Sequence, residues 1–163
     1  MPDTDLIDQI CEQWSRERPD LDSGGFALVG RLLLLGKLLE RRVSETLAPL
    51  ELQVWAFDVL ATLRRQGAPY RLTPTELSRA TLLTPGAMTN RIDRLEAAGL
   101  VRREAEPNDR RGVRVSLTKS GLDLVDHAIE LRFAEANDAV AEVPARNRAS
   151  LERTLRRLLL RLK

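Results

Sequence analysis

One cysteine and one histidine are all that this chain of 163 residues offers to soft-metal or nucleophilic chemistry. Cys11 has no partner for an internal disulfide, which suits a reducing compartment. His127 has no cysteine or second histidine near it in sequence, so a zinc site built on it lacks ligands, and it reads as a surface or partly packed residue. There is no glycine-rich phosphate loop, nucleophile elbow or Cys-x-x-Cys spacing, which argues against the enzymes that depend on them. No cofactor and no catalytic residue are expected. No apolar run approaches the roughly 20 residues of a membrane span. The first residues, Met1-Pro2-Asp3-Thr4-Asp5, are acidic where a secretory signal is basic, so a cytoplasmic, membrane-free protein is expected.

What is present is a helix-rich pattern, with 43% hydrophobic and 31% charged residues in one domain's length. The net charge of +2 says little alone. Between Thr84 and Lys119, however, eight basic residues face five acidic ones, a local +3 that leaves −1 for the rest. That asymmetry directs an electrostatic footprint to this stretch.

The stretch from Leu72 to Thr118 organises the chain. Thr84 is a good N-cap, Pro85 suits the first helical position, and Gly99 closes the run, which predicts a helix over 84–98. On a helical wheel Met88, Ile92 and Leu95 form one apolar stripe. Small and hydrogen-bonding residues, Gly86, Thr89 and Asn90 among them, lie across or beside the opposite face. Upstream, Thr73-Pro74-Thr75-Glu76 repeats the start signal, and Thr81-Leu82-Leu83 separates the two helices as a helix-turn-helix does. Two strand-like runs follow, 100–106 and 112–117, the second alternating Val113, Val115 and Leu117 with Arg114 and Ser116. Pro107-Asn108-Asp109-Arg110-Arg111-Gly112 between them reads as a turn with two arginines at its tip. A solvated turn is the plain alternative, but a basic finger beside such a helix is what phosphate and groove contacts need.

These residues also carry a resemblance. Leu72-Thr73 with Glu76-Leu77-Ser78, then Arg94-Leu95-Glu96, Gly99-Leu100-Val101, and above all Asp109-x-Arg111 leading to Leu117-Thr118, resemble the MarR family of winged-helix transcription regulators. The run from Gly86 to Leu95, together with 107–113, is similar to the PecS and urate-responsive branch of that family. The likeness is strongest over residues 51–121. It implies double-stranded DNA as partner, with Thr84, Gly86, Thr89, Asn90, Arg94, Asp109, Arg110 and Arg111 as contacts, and a homodimer held by the terminal helices. Some members of the family sense oxidants with thiols, but Cys11 on an apolar helix edge reads as a buried, inert residue.

The remaining chain predicts a helix over 4–17 capped by Asp3 or Thr4, a long helix over 24–48 whose leucine run wants more than one buried face, and a nearly all-apolar helix over 51–66. After Thr118 come a helix to about Val143, with Leu122, Val125, Ile129 and Phe133 on one stripe, and a last helix carrying Leu151, Leu155, Leu158, Leu159 and Leu162. That leucine stripe packs either within the chain or against a second copy.

Asp58 is the odd residue, a carboxylate in the middle of the apolar helix that must be paired or sit at the edge of a polar cavity. Arg91, beside the apolar stripe of the 84–98 helix, is its natural cation, and a purely structural ion pair is the plain reading. The urate-responsive resemblance instead implies an effector site for a small anionic aromatic such as urate, made by Trp14, Asp58, Arg91 and Arg103.

The expected fold is therefore mainly α, a winged helix-turn-helix lobe over 51–118 with a two-stranded wing at 100–118. Helices at 24–48 and 119–163 would form the dimerisation lobe of one MarR-like domain. The expected function is that of a ligand-responsive repressor reading a pseudo-palindromic operator. The alternatives are another effector or none, and a winged helix used for protein contact.

Overall fold

The computed structural model describes residues 4–81, 83–106 and 109–163, with side chains at all of these except 106 and 109–111. In chain order the elements are α1 (Leu6–Glu17), α2 (Gly24–Leu47), a 3-10 turn (Ala48–Leu50), α3 (Val54–Arg64), β1 (Arg71–Leu72), α4 (Pro74–Thr81), α5 (Pro85–Ala97), β2 (Val101–Glu106), β3 (Asp109–Leu117), α6 (Lys119–Ala139) and α7 (Ala145–Leu162). They divide into two compact units, one ending at Val43 and the other beginning at Ser44.

In the first unit the cap of α1 is Asp5, not Asp3 or Thr4. Its carboxylate accepts from the N–H groups of Ile7 at 2.8 Å and Asp8 at 3.0 Å, while Asp8 accepts from the N–H of Asp5 at 3.0 Å. This reciprocal box satisfies donors that a helix start leaves unpaired. Arg31 of α2 then donates to both acids, 2.8 Å to Asp5 and 2.5 Å to Asp8, tying the two helices together. Ile7 is buried against the backbone of α2 at Gly30, where a Cβ would come within 3.1 Å of its Cδ1. Burial of several faces of the leucine run does not occur in the chain taken singly: Leu28, Leu32, Leu33, Leu35, Leu38 and Leu39 all stay exposed.

The second unit is built on α3, whose Ala56, Val59, Leu60 and Leu63 enter the core with Leu77, Met88, Ile92, Val115 and Val125. Helix α4 opens with a capping box, since Glu76 accepts from the Thr73 N–H at 2.7 Å and the Thr73 hydroxyl accepts from the Glu76 N–H at 3.2 Å. Helix α5 starts at the Thr84 cap and ends as its sequence predicts. Gly99 takes φ +70, and the N–H groups of Gly99 and Leu100 each reach back 2.9 Å, to the carbonyls of Glu96 and Leu95. That paired arrangement turns the chain sharply out of the helix into β2.

The sheet has three antiparallel strands in the order β1-β3-β2, one more than the two-stranded wing expected from sequence. The extra strand is two residues long, Arg71 opposite Ser116 and Leu72 opposite Val115, too short to show any alternation. The turn is also shorter than expected, because β3 already begins at Asp109. Glu106 pairs with Asp109 and Ala105 with Val113, so the excess residues 110–112 form an irregularity on β3. Pro107 and Asn108 lie outside the described residues.

Thr118 starts α6 and joins it to the preceding turn. Its hydroxyl accepts from the Gly121 N–H at 3.0 Å and donates to the Gly99 carbonyl at 2.7 Å. Gly121 is required there, because a Cβ on it would lie 1.9 Å from the Leu100 carbonyl oxygen. Helix α6 ends at Ala139, not near Val143, and buries Gly121, Val125 and Ala128. Phe133, assigned from sequence to the apolar stripe, is 70% exposed. Helix α7 buries none of its residues.

Candidate nucleic-acid interface and anion cavity

Helix α5 turns Met88, Ile92 and Leu95 into the core and leaves Thr84, Gly86, Thr89, Asn90 and Arg94 at the surface. Nothing lies within 4 Å of where a Cβ on Gly86 would be, so the core does not require glycine there. The absence of a side chain leaves the backbone open to approach from outside.

The helix is held on both flanks. On one, Arg103 of β2 places Nη2 2.5 Å from Asp93 Oδ1, donates through Nη1 to Glu96, and offers its own N–H to Glu96 Oε1 at 2.9 Å. Burial works against the Arg103 charge, but the Asp93 and Glu96 carboxylates outweigh it and hold its pKa above the usual arginine value. On the other flank, the guanidinium carbons of Arg91 and Arg94 stand 5.6 and 5.0 Å from the centre of the Trp55 ring. Both distances suit cation–π attraction.

Below that flank lies a cavity of about 280 Å³, with Asp58 and Thr62 of α3, Arg65 just beyond it, Thr81 of α4 and Arg91 of α5 in its wall. Asp58 is exposed to solvent. Even so, the protein packed around its carboxyl raises its pKa, against the opposing pull of Arg91, Arg132 and Arg65. Arg132 is paired with Glu135, but Asp58, Arg65 and Arg91 form no close ion pair with one another, so the carboxylate can accept a proton or an N–H while the two cavity arginines attract an anion.

The comparisons with known proteins bear on the family and the fold. A model described as MarR family matches residues 50–112, from the 3-10 turn into the wing. The HTH-type transcriptional regulator PecS of Dickeya dadantii (strain 3937) is 34% identical over 152 residues, spanning 93% of this chain and 92% of PecS. The chain belongs to the MarR family. It is thus a winged-helix transcription regulator with PecS-like features, and its relatives are regulators, not enzymes. A cysteine-to-serine mutant of MarR from E.coli complexed with operator DNA superimposes with a TM-score of 0.71 at 28% identity, covering 96% of this chain and 99% of that one. AbsC, a MarR family regulator from Streptomyces coelicolor, shares the fold with a TM-score of 0.78 at 24% identity over 87% of this chain and 96% of its own.

Against this MarR-family frame the candidate residues sort clearly. Asp58 and Arg91 share one cavity, and Asp58 sits at a polar edge as its sequence context requires. Arg103 does not line that cavity; it is committed to Asp93 and Glu96 on α5. Trp14 belongs to the N-terminal unit, where it walls a pocket of about 260 Å³ with Leu21 and Phe26. Asp109, Arg110 and Arg111 have their backbone on β3 and their side chains outside the described residues. Cys11 is half-buried, less enclosed than its apolar edge suggested, and His127 is exposed with Nδ1 3.9 Å from Glu130. Sequence reading missed Trp55, which it placed only in the apolar run of α3, and the cations Arg65 and Arg132 near Asp58. The one available signal was that Trp55 precedes Asp58 by three positions, hence shares its side of the helix. Among the described residues no helix is long and apolar enough to cross a membrane, and no three metal-ligating side chains converge.

Proposed function

We propose that this MarR-family regulator is a cytoplasmic homodimeric repressor that binds a pseudo-palindromic DNA operator and is released by a small planar anion such as urate. The observation that carries the reading is α5 itself, with Gly86, Thr89, Asn90 and Arg94 at the surface beside the β2–β3 wing. Asn90, Thr89 and Arg94 would meet base edges and adjacent phosphates, the Thr84 cap and Gly86 would let the backbone approach, and Asp109, Arg110 and Arg111 would bring the wing to the minor groove. Two copies related by a two-fold axis would read half-sites about 10 bp apart or a small multiple of that. The E.coli MarR structure with operator DNA supports DNA as the ligand.

Dimerisation is supported by α7, where Leu151, Leu158, Leu159, Leu160 and Leu162 are exposed in the single chain. A helix with an unburied leucine stripe gains its stability from a partner surface. Glutamates at Leu155 and Leu159 should yield monomers or unfolded chain in sedimentation, and a well-folded wild-type monomer would overturn both dimer and palindrome.

For the effector, Asp58 supplies an acceptor for a ring N–H and Arg91 a guanidinium for the charge. Arg103 would act by positioning α5, and Trp14 is assigned by the PecS-like resemblance. The decisive experiment titrates urate and related purines into the protein–operator complex, for wild type, Asp58→Asn, Arg91→Ala, Arg103→Ala and Trp14→Ala. Urate should loosen the wild-type complex, and operator should weaken urate binding by the same factor. No response from wild type, or a wild-type response from both Asp58→Asn and Arg91→Ala, sinks the effector reading and leaves DNA binding standing.

A further inference from the structure

We propose that Trp55 is the positioning residue that couples the anion cavity to the DNA-facing side of α5, an inference that rests on the regulatory reading above. One indole ring serves two guanidinium groups, Arg91 at 5.6 Å and Arg94 at 5.0 Å. The two arginines are three positions apart on α5, which puts them on one flank, and neither is in an ion pair among the described residues. Like charges this close repel, and the negative ring face that both approach offsets that repulsion. The aim of Arg94 therefore depends on Trp55, and Trp55's share of Arg94 depends on where Arg91 lies.

Arg91 has two partners to choose between. Its guanidinium stands over the Trp55 ring, and the same residue walls the cavity that holds Asp58. Asp58 sits one helical turn after Trp55 on α3, so the same rigid element presents the ring and the carboxylate. An anion entering the cavity offers Arg91 a charge-assisted, bidentate hydrogen bond, which is stronger than a part-exposed cation–π contact. Arg91 moves to the anion, the ring keeps Arg94 alone, and the guanidinium that meets DNA is re-aimed. No movement of the whole helix is required.

The test measures operator affinity of the full-length dimer for wild type, Trp55→Leu, Trp55→Phe, Arg94→Gln and the Trp55→Leu/Arg94→Gln double variant, with and without saturating urate. Without urate, Trp55→Leu and Arg94→Gln should be non-additive by about fivefold in operator affinity, the size expected of one cation–π contact. Trp55→Phe, which keeps a weaker aromatic face, should fall between Leu and wild type. With urate, Trp55→Leu should lose most of the loosening of the operator complex while calorimetry shows urate binding to the DNA-free protein little changed. A role in packing alone predicts additivity, no rescue by Phe and an undiminished urate effect, and any one of those three results overturns the proposal. If wild type does not respond to urate, the effector reading has failed on its own, and Trp55 is judged by the urate-free cycle, where additivity refutes it. Should Trp55→Leu not fold as judged by circular dichroism, Trp55→Phe carries the same cycle with the same signs.

Discussion

Arg103 of β2 holds Asp93 of α5 at 2.5 Å, so the wing and α5 are joined by a side-chain bridge as well as by the turn at Gly99. Both partners are partly exposed, 30% for Arg103 and 57% for Asp93, and exposed ion pairs contribute at most about 1 kcal/mol to stability. Arg103→Ala should therefore change the melting temperature by only a few degrees. The same substitution frees the wing to pivot against α5, and operator affinity measured by fluorescence anisotropy should fall about tenfold, the size of one misplaced base contact. Arg103→Lys should not restore it, because an ammonium cannot span two carboxylates as a planar fork does.

At Gly86 stability and function should move in opposite directions. The site has open space around its missing Cβ, and leucine is about 0.8 kcal/mol better than glycine in a helix. Gly86→Leu should raise the denaturation midpoint slightly and abolish detectable operator binding. An unchanged affinity would mean that this face of α5 does not approach DNA.

Gly121 predicts the reverse pattern. A Cβ there would meet the Leu100 carbonyl at 1.9 Å, and backbone cannot step aside as a flexible side chain can. Gly121→Ala should cost about 3 kcal/mol or more through overpacking and loss of the Thr118 cap, read in urea denaturation. Operator binding by whatever fraction remains folded should be close to normal.

Two carboxylates should give opposite pH dependences. Burial foremost raises the Asp58 pKa, so the folded protein keeps that proton at a pH where the unfolded chain has released it. Stability then falls as pH rises through the interval between the unfolded and folded values, and the cost persists at neutral pH. Asp58→Asn should stabilise the protein at pH 7, with the gain shrinking toward acid. The Glu76 pKa is lowered, first by the Thr73 N–H and then by its hydroxyl, so its contribution is present above the unfolded value and lost as pH falls through the folded one. Glu76→Gln should destabilise at pH 7 and converge on wild type in acid. Paired denaturation curves from about pH 2 to 8 check both signs.

The sequence alone determined what is local. Thr84-Pro85, the apolar stripe of Met88, Ile92 and Leu95, the Thr73 and Glu76 box and the Gly99 exit all act within one or two helical turns, and their residue types leave few alternatives. The two main wing strands, the Thr118 cap and the family follow from the same short-range pattern. Tertiary structure decided what long-range pairing decides. The two-residue strand β1 exists only because β3 offers it a partner. Arg103 was placed by resemblance with Asp58, yet it spends its charge on Asp93 and Glu96, because the sharp turn at Gly99 folds β2 back along that flank of α5. Trp55 read as one more apolar residue of α3 until two arginines from another helix were laid over it. Side-chain partners across elements depend on which flanks abut, and that is fixed by packing geometry, for which a linear pattern of residue types has no coordinate.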